Sequence, residues 1–166
     1  MKNRASGVET LNPVEVDVMR LFAQLSRALG QPPSVGEIYG LLFLSPQPLT
    51  MDDLIERLRL SNGSASQGLK YLREMGAVRV VEVAGSRRTH YEAVAELRKL
   101  TGNFLRQQIS PHLSDSAMHL EQITEKAQHL PGEAGGHILA RIKLLQSWDE
   151  HARHILPFLI EVLGSQ

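Results

Sequence analysis

The fold is decided by the segment Ser61-Asn-Gly-Ser-Ala-Ser-Gln-Gly-Leu-Lys-Tyr-Leu-Arg-Glu-Met75. Ser61 is a favourable helix N-cap, and the first turns after it carry only small or polar side chains. The glycines among them each cost a helix about 1 kcal/mol relative to alanine, so something other than helix propensity explains them. A thin, hydrogen-bonding amino end suits a helix that enters the major groove of duplex DNA, and its dipole favours phosphate.

A shorter helix is predicted immediately before this segment, from Thr50 to Leu58. Thr50 and Asp53 can form a capping box at its start, with aspartate in place of the usual glutamate. Its apolar residues recur at spacings of three and four, which is the pattern of a helix with one buried face. The two helices and the short break between them predict a helix-turn-helix, whose second helix is the recognition helix.

A β-hairpin with a basic tip is predicted after the recognition helix. Gly76 fits the left-handed residue that commonly ends a helix. Val78–Val83 alternates and is rich in β-branched residues, and Thr89–Ala93 is its predicted partner strand. The turn between them carries Arg87 and Arg88, where positive charge can grip phosphates beside the groove. This order predicts a mostly α fold with a small β-hairpin, namely a winged helix-turn-helix with an added helical dimerisation region.

The predicted DNA contacts are polar or basic side chains on the recognition helix and the hairpin tip. Those predicted to face the major groove are Ser61, Asn62, Ser64, Ser66 and Gln67. Those predicted to contact phosphates are Lys70 and Arg73 on the helix and Arg87 and Arg88 in the wing. Residues 61–90 contain five basic and two acidic side chains, whereas the whole chain has 18 of each. Any DNA affinity must therefore come from this local patch and from dimerisation.

The same patterns leave a different class of function open. Paired arginines at a turn are often only solvated, and a small polar helix can be an ordinary surface helix. A winged helix can also dock a protein partner without binding DNA, because a fold does not determine a function. The alternative to a DNA-binding regulator is therefore a winged-helix protein–protein interaction module.

The chain divides into three predicted regions. Residues 1–30 are expected to contribute a helix to dimerisation, and this helix begins near Pro13 and stops at Gly30. Residues 31–95 are expected to form the winged helix-turn-helix domain. Residues 96–166 are expected to form a C-terminal helical dimerisation region, because its helices are more apolar than solvent-exposed helices should be.

Further helices are predicted around the winged segment. A second capping box at Ser34–Glu37 should start a buried helix at Ile38–Leu44. A long helix is expected from Ala95 to Leu130, kinked or split near Pro111. Leu130–Gly136 is expected to be a loop before the terminal helix.

Composition excludes several classes of protein. The 166 residues contain no cysteine, so disulfides and thiolate metal sites are impossible. There is no uninterrupted apolar stretch of membrane-spanning length and no apolar signal core, so a cytoplasmic location is expected. The sequence lacks a nucleophile elbow, a phosphate-binding glycine loop and a suitable carboxylate pair, so no enzymatic activity and no cofactor are expected.

Two groups of residues suggest small ligands but have simpler explanations. His151 and His154 are three residues apart, whereas helical metal ligands usually need a spacing of four or a third partner, so no metal site is predicted. The aromatic residues of a possible effector pocket between the winged domain and the dimer bundle are Tyr39, Phe104, Trp148 and Phe158. Aromatic faces attract quaternary ammonium groups, but core packing is the simpler explanation for these side chains.

Four phrases of the sequence occur together in the order of a known family. They are Gly30–Ser45, Leu49–Leu54, Leu60–Leu72 and Gly85-Ser-Arg-Arg-Thr-His-Tyr91. Together they resemble the GbsR-like branch of the MarR superfamily of transcriptional regulators. The resemblance implies a homodimeric DNA-binding repressor on a pseudo-palindromic operator, with choline or another small effector acting on some relatives. One departure is Asn62, where relatives often carry a basic residue, so the base contacts are expected to differ.

Overall fold

The computed structural model describes residues 11–164, which form two compact units that meet in sequence at Ala95 and Glu96. The first unit contains four α-helices and a three-stranded antiparallel sheet, and the second contains three α-helices and one π-helical turn. This mostly helical architecture with a small sheet confirms the predicted fold class. The predicted N-terminal region, residues 1–30, is described only from Leu11 onward.

The first two helices pack unusually closely. They are α1 at Pro13–Ala28 and α2 at Pro33–Leu44. A Cβ placed on Gly36 of α2 would lie 2.1 Å from the backbone oxygen of Phe22, so only glycine permits this approach. The predicted stop near Gly30 is confirmed, because this glycine has a φ of +71° just after α1.

The helix-turn-helix follows from local capping signals. Helix α3 spans Met51–Leu58 and begins at the predicted capping box, where Thr50 Oγ1 accepts from the Asp53 amide at 3.2 Å and Asp53 accepts from the Thr50 amide at 2.8 Å. Helix α4 spans Asn62–Glu74 and has Ser61 as its N-cap, also as predicted. Ile38, Leu41 and Leu54 are fully buried, so α2 is central to this core.

The sheet has one strand more than the sequence predicted. Strand β1 is Leu49–Thr50, β2 is Val78–Val81 and β3 is His90–Ala93, in the order β1-β3-β2. A two-residue strand has no periodic signature, which explains why β1 was missed. The hairpin strands are also shorter than predicted, because the Ser86 amide bonds the Val83 carbonyl at 3.0 Å and turns the chain.

The second unit contains α5 at Leu97–Phe104, a π-helical turn at Leu105–Ile109, α6 at Ser110–Gln128 and α7 at Gly132–Gly164. The predicted interruption near Pro111 is confirmed. Proline lies in the first turn of α6, where its missing N–H matters least, and the π-helical turn precedes it. Within residues 11–164, no helix is long and apolar enough to cross a membrane.

Two local predictions are wrong. Ser34 does not cap α2, because Pro33 occupies the first helical turn and the helix therefore starts before the serine. The predicted loop at Leu130–Gly136 is shorter than expected, because α7 already begins at Gly132. Gly135 allows this early start, since a Cβ there would lie 2.4 Å from the Leu130 carbonyl oxygen.

Candidate nucleic-acid interface

The amino end of α4 is open to solvent. Asn62, Ser66 and Gln67 are exposed, and none of their side chains bonds another residue in the described range 11–164. Ser61 and Ser64 differ, because the Ser61 hydroxyl donates to Ser64 Oγ at 2.9 Å and accepts from the Ser64 amide at 3.1 Å. Three polar side chains at this end of α4 are thus without a hydrogen-bond partner in the described range, whereas the serine pair caps the helix.

The two glycines of this helix serve different purposes. A Cβ on Gly68 would lie 2.6 Å from Ile38 Cδ1, so this glycine lets α4 pack against α2. A Cβ on Gly63 would meet nothing nearer than Ser61 Oγ at 3.9 Å. Close packing, rather than DNA, therefore explains Gly68, and only Gly63 contributes to the thin tip.

The basic residues of α4 are both exposed but are not equivalent. Lys70 Nζ lies 3.9 Å from Glu74 Oε1, one helical turn away. Arg73 has no ion-pair or hydrogen-bond partner for its side chain within the part of the chain that the structure describes. Arg73 is therefore the more available of the two for a phosphate.

The wing arginines are likewise unequal. Arg88 Nη1 lies 3.3 Å from Asp52 Oδ2 at the start of α3, and the Arg88 amide bonds Ser86 Oγ at 3.2 Å. Arg87 is exposed, and its side chain is unpaired among residues 11–164. At the base of the hairpin, Arg79 pairs with Glu92 across the strands and is thereby neutralised. Of the five basic residues between positions 61 and 90, three therefore have an acidic partner. Arg73 and Arg87 have none in the described structure, so less positive charge is free than the composition suggests.

Sequence reasoning missed Asp52 as a residue of this site. A carboxylate at the start of α3 is sufficiently explained by the helix dipole, which favours negative charge there, so the sequence gives no reason to connect it with the wing. No local pattern connects it with Arg88, because the wing and α3 are brought together only by the pairing of β1 with β3. The pair joins the wing tip to the helix-turn-helix.

The four aromatic residues predicted for an effector pocket lie in different settings. Tyr39 is buried in the first unit, where its hydroxyl donates to the Val94 carbonyl at 2.9 Å and its ring meets Phe22 edge-on. This burial raises the pKa of Tyr39 to about 12. In the second unit, Phe104 is half-buried, whereas Trp148 and Phe158 are 67% and 63% exposed.

The structure does not bring Trp148 and Phe158 together. They are ten residues apart on α7, which corresponds to about 15 Å along the axis and to different helix faces. The histidines of α7 make only local contacts, in which His151 and His154 ring nitrogens lie 2.6 and 2.7 Å from backbone carbonyls. Among residues 11–164, no cluster of three or more His, Asp or Glu side chains is arranged to hold a metal ion.

The chain is similar to known proteins in the sequence of its winged domain and in its fold. A family model described as the MarR family matches residues 33–89, which run from the start of α2 to the wing. A solved crystal structure of a transcriptional regulator has a similar fold, with a TM-score of 0.63 and 14% identity over 93% of this chain and all of that one. No curated protein matches the sequence. Residues 33–89 of the winged helix-turn-helix domain are therefore similar to the MarR family.

Proposed function

We propose that the protein is a transcriptional repressor that binds duplex DNA as a homodimer. The observation that carries this proposal is the exposed amino end of α4, where Asn62, Ser66 and Gln67 have no partner within residues 11–164. Amide side chains can bond adenine bidentately, and hydroxyls accept or donate to several base edges. The Ser61–Ser64 pair leaves the α4 backbone capped, so these three side chains are free for the DNA.

The unpaired cations near the amino end of α4 and in the wing bind phosphate. Arg73 extends from α4 and Arg87 from the wing, and both are exposed. Lys70 and Arg88 join them when phosphate replaces Glu74 and Asp52 as the partner. Contacts of this kind release counterions, so affinity should fall steeply as salt concentration rises.

A dimer is supported by apolar surface on α7. Leu144, Trp148 and Ile155 are each more than half exposed and lie on one face of α7, because they follow one another at spacings of four and seven residues. Single exposed apolar residues are common, but several large ones on one helix favour burial against another chain. A dimer with a second copy of this chain would present two recognition helices to half-sites that lie about 34 Å apart on one face of the duplex.

We infer the repressor role and membership of the GbsR-like branch from the resemblance of four sequence segments to that branch. The segments are Gly30–Ser45, Leu49–Leu54, Leu60–Leu72 and Gly85–Tyr91. A small-molecule effector belongs to the same proposal, and it would act by changing the separation of the two recognition helices. Such a change alters affinity because half-site spacing is fixed by the DNA helical repeat.

The test is a binding titration in two stages. Fluorescence anisotropy with a random-sequence duplex at low salt should detect non-specific binding, and genomic fragments at physiological salt should then yield a tightly bound subset. Placing the bound sequence upstream of a reporter gene should reduce transcription. If neither DNA binds under either condition, the protein-interaction module becomes the correct interpretation.

A further inference from the structure

The carboxyl-terminal half of α7 carries an exposed apolar stripe. Its members follow one another at alternating spacings of three and four residues and extend about 25 Å along the helix axis. They are Leu145, Trp148, Ala152, Ile155, Leu159 and Val162. The five large side chains among them are between 40% and 67% exposed. Apolar residues at this spacing form the seam of a coiled coil, so the stripe is suited to pairing with another helix.

A different face of α7 packs against α6. Its buried residues lie seven positions apart, at Gly135, Ile142, Asp149 and Leu156. Ser116 of α6 donates a hydrogen bond to the Asp149 carboxylate on this face. At 100° per residue, the stripe is centred about a quarter of a turn away from these buried positions. The helix therefore has two seams, and the contact with α6 uses only the one that contains Asp149.

An apolar groove of about 600 Å³ adjoins the stripe. One wall comes from α6, with Leu120 and Ile123, and the other comes from α7, with Leu145 and Trp148. The amino-terminal half of the stripe is therefore also a wall of the groove. A helix that covered the stripe would place its own side chains in this groove.

The order of large and small side chains along the stripe matches its own reverse. Two antiparallel copies would pair Leu145 with Val162, Trp148 with Leu159 and Ala152 with Ile155. In each pair a larger side chain meets a smaller one, as close packing requires. Two parallel copies would instead set one Trp148 against the other and one Ala152 against the other, which crowds one level and leaves a void at the next.

Charge is consistent with the same occupant. The stripe contains no Asp, Glu, Lys or Arg, so pairing it with itself removes no ionised carboxylate, ammonium or guanidinium of the stripe from water. Closed dimers usually have twofold symmetry, in which one surface meets its own copy. A second copy of this chain therefore fits the stripe in both shape and charge.

We propose that a second copy of this chain docks antiparallel on the α7 stripe, with Leu159 and Val162 of each copy covering the α6–α7 groove of the other. The contact rests on the homodimer proposed above and specifies its geometry. The α6–α7 pairs of the two copies then form a four-helix bundle, and its apolar side chains are removed from water.

The test uses the full chain, which contains no cysteine, so single introduced cysteines report contacts without background. Leu145→Cys and Val162→Cys place a thiol at opposite ends of the stripe. In the antiparallel dimer two like thiols lie about 25 Å apart, whereas a disulfide needs Cα atoms within about 7 Å. The two variants, mixed under reducing conditions and then mildly oxidised, should form a covalent dimer. Each variant oxidised alone is the matched control and should not.

The other outcomes of this experiment are distinct. Covalent dimers from either variant alone would reveal a parallel contact and overturn the inference. If the mixture forms no covalent dimer although light scattering gives a dimeric mass, the copies meet through another surface, so the inference is wrong while the homodimer stands. A monomeric mass before oxidation would exclude both the contact and the homodimer.

A noncovalent test uses the smallest residue of the stripe. Ala152→Phe should raise the dissociation constant of the dimer about tenfold or more, because a large side chain would then face Ile155 of the second copy. Ala140→Phe is the control, since Ala140 is an exposed alanine of α7 that lies outside the stripe. Equal dissociation constants for the two variants would contradict the proposed register.

Discussion

Arg88 of the wing and Asp52 of α3 form an ion pair of 3.3 Å that ties the hairpin tip to the helix-turn-helix. Both side chains are 67% exposed, so the pair itself stabilises the fold little. Its importance lies in making the two wing arginines unequal. Arg87 can bind a phosphate directly, whereas Arg88 must first break its ion pair with Asp52.

The first prediction concerns the salt dependence of DNA binding. Replacing both wing arginines by alanine should flatten the slope of log K against log salt by about two units, because each phosphate contact contributes about 0.9. Arg87→Ala alone should account for about one unit. Anisotropy titrations at four or more salt concentrations give the slope. An unchanged slope in the double variant would remove the wing from DNA binding.

The second prediction concerns Asp52. Asp52→Asn removes the competing charge from Arg88, so DNA affinity should rise about twofold to fivefold at low salt, within the range expected for an exposed ion pair. Repeating the substitution in an Arg88→Ala background provides the control, where the gain should disappear. A gain that persists without Arg88 would show that Asp52 acts by general repulsion of DNA.

The third prediction separates the free side chains of α4 from the engaged ones. Gln67→Ala should cost about 1–3 kcal/mol of discrimination between the selected DNA site and a random duplex. Ser64→Ala should change discrimination much less, because its hydroxyl already bonds Ser61. Ser61→Ala should instead lower the free energy of unfolding by about 1 kcal/mol through loss of the helix cap. Equal losses of discrimination at Gln67 and Ser64 would contradict this division.

Local chemistry explains which parts of the fold could be predicted from the sequence. Thr50 and Asp53, which cap α3, are only three residues apart. Ser61 and Gly76 directly flank the two ends of α4. The bounds of both helices could therefore be predicted from neighbouring residues alone. Even local signals fail when two compete, as when Pro33 starts a helix that Ser34 was expected to cap.

The remaining features depend on residues distant in sequence. The Arg88–Asp52 pair spans 36 positions and the Arg57–Glu15 pair spans 42. Neither pair has a periodic signature, because each is produced by packing between elements. For the same reason the sequence indicated which arginines belong to the wing but not which one is free.

The fourth prediction concerns the dimer. Trp148→Glu should weaken self-association by about 2 kcal/mol, roughly thirtyfold in the dissociation constant, because a large aromatic on α7 would otherwise be buried against the second copy. Light scattering after size-exclusion chromatography at several protein concentrations measures this change. Lys143→Glu introduces the same side chain at another exposed position of α7 and should leave the mass unchanged. A chain that is monomeric before any substitution would contradict the dimer.

The fifth prediction follows from the burial of Tyr39, which raises its pKa from 10.0 to about 12. Below pH 10 the phenol is protonated in both folded and unfolded states, so its contribution to stability is constant. Between pH 10 and 12 the unfolded state loses the proton first, and the free energy of unfolding should fall by about 3 kcal/mol, at 1.4 kcal/mol per unit. Urea denaturation at several pH values measures the decline. Tyr39→Phe should lower stability at pH 8 by about 1 kcal/mol through loss of the bond to the Val94 carbonyl, yet remove most of the decline, because phenylalanine does not titrate. An alkaline decline of the same size in this variant would show that another group causes it.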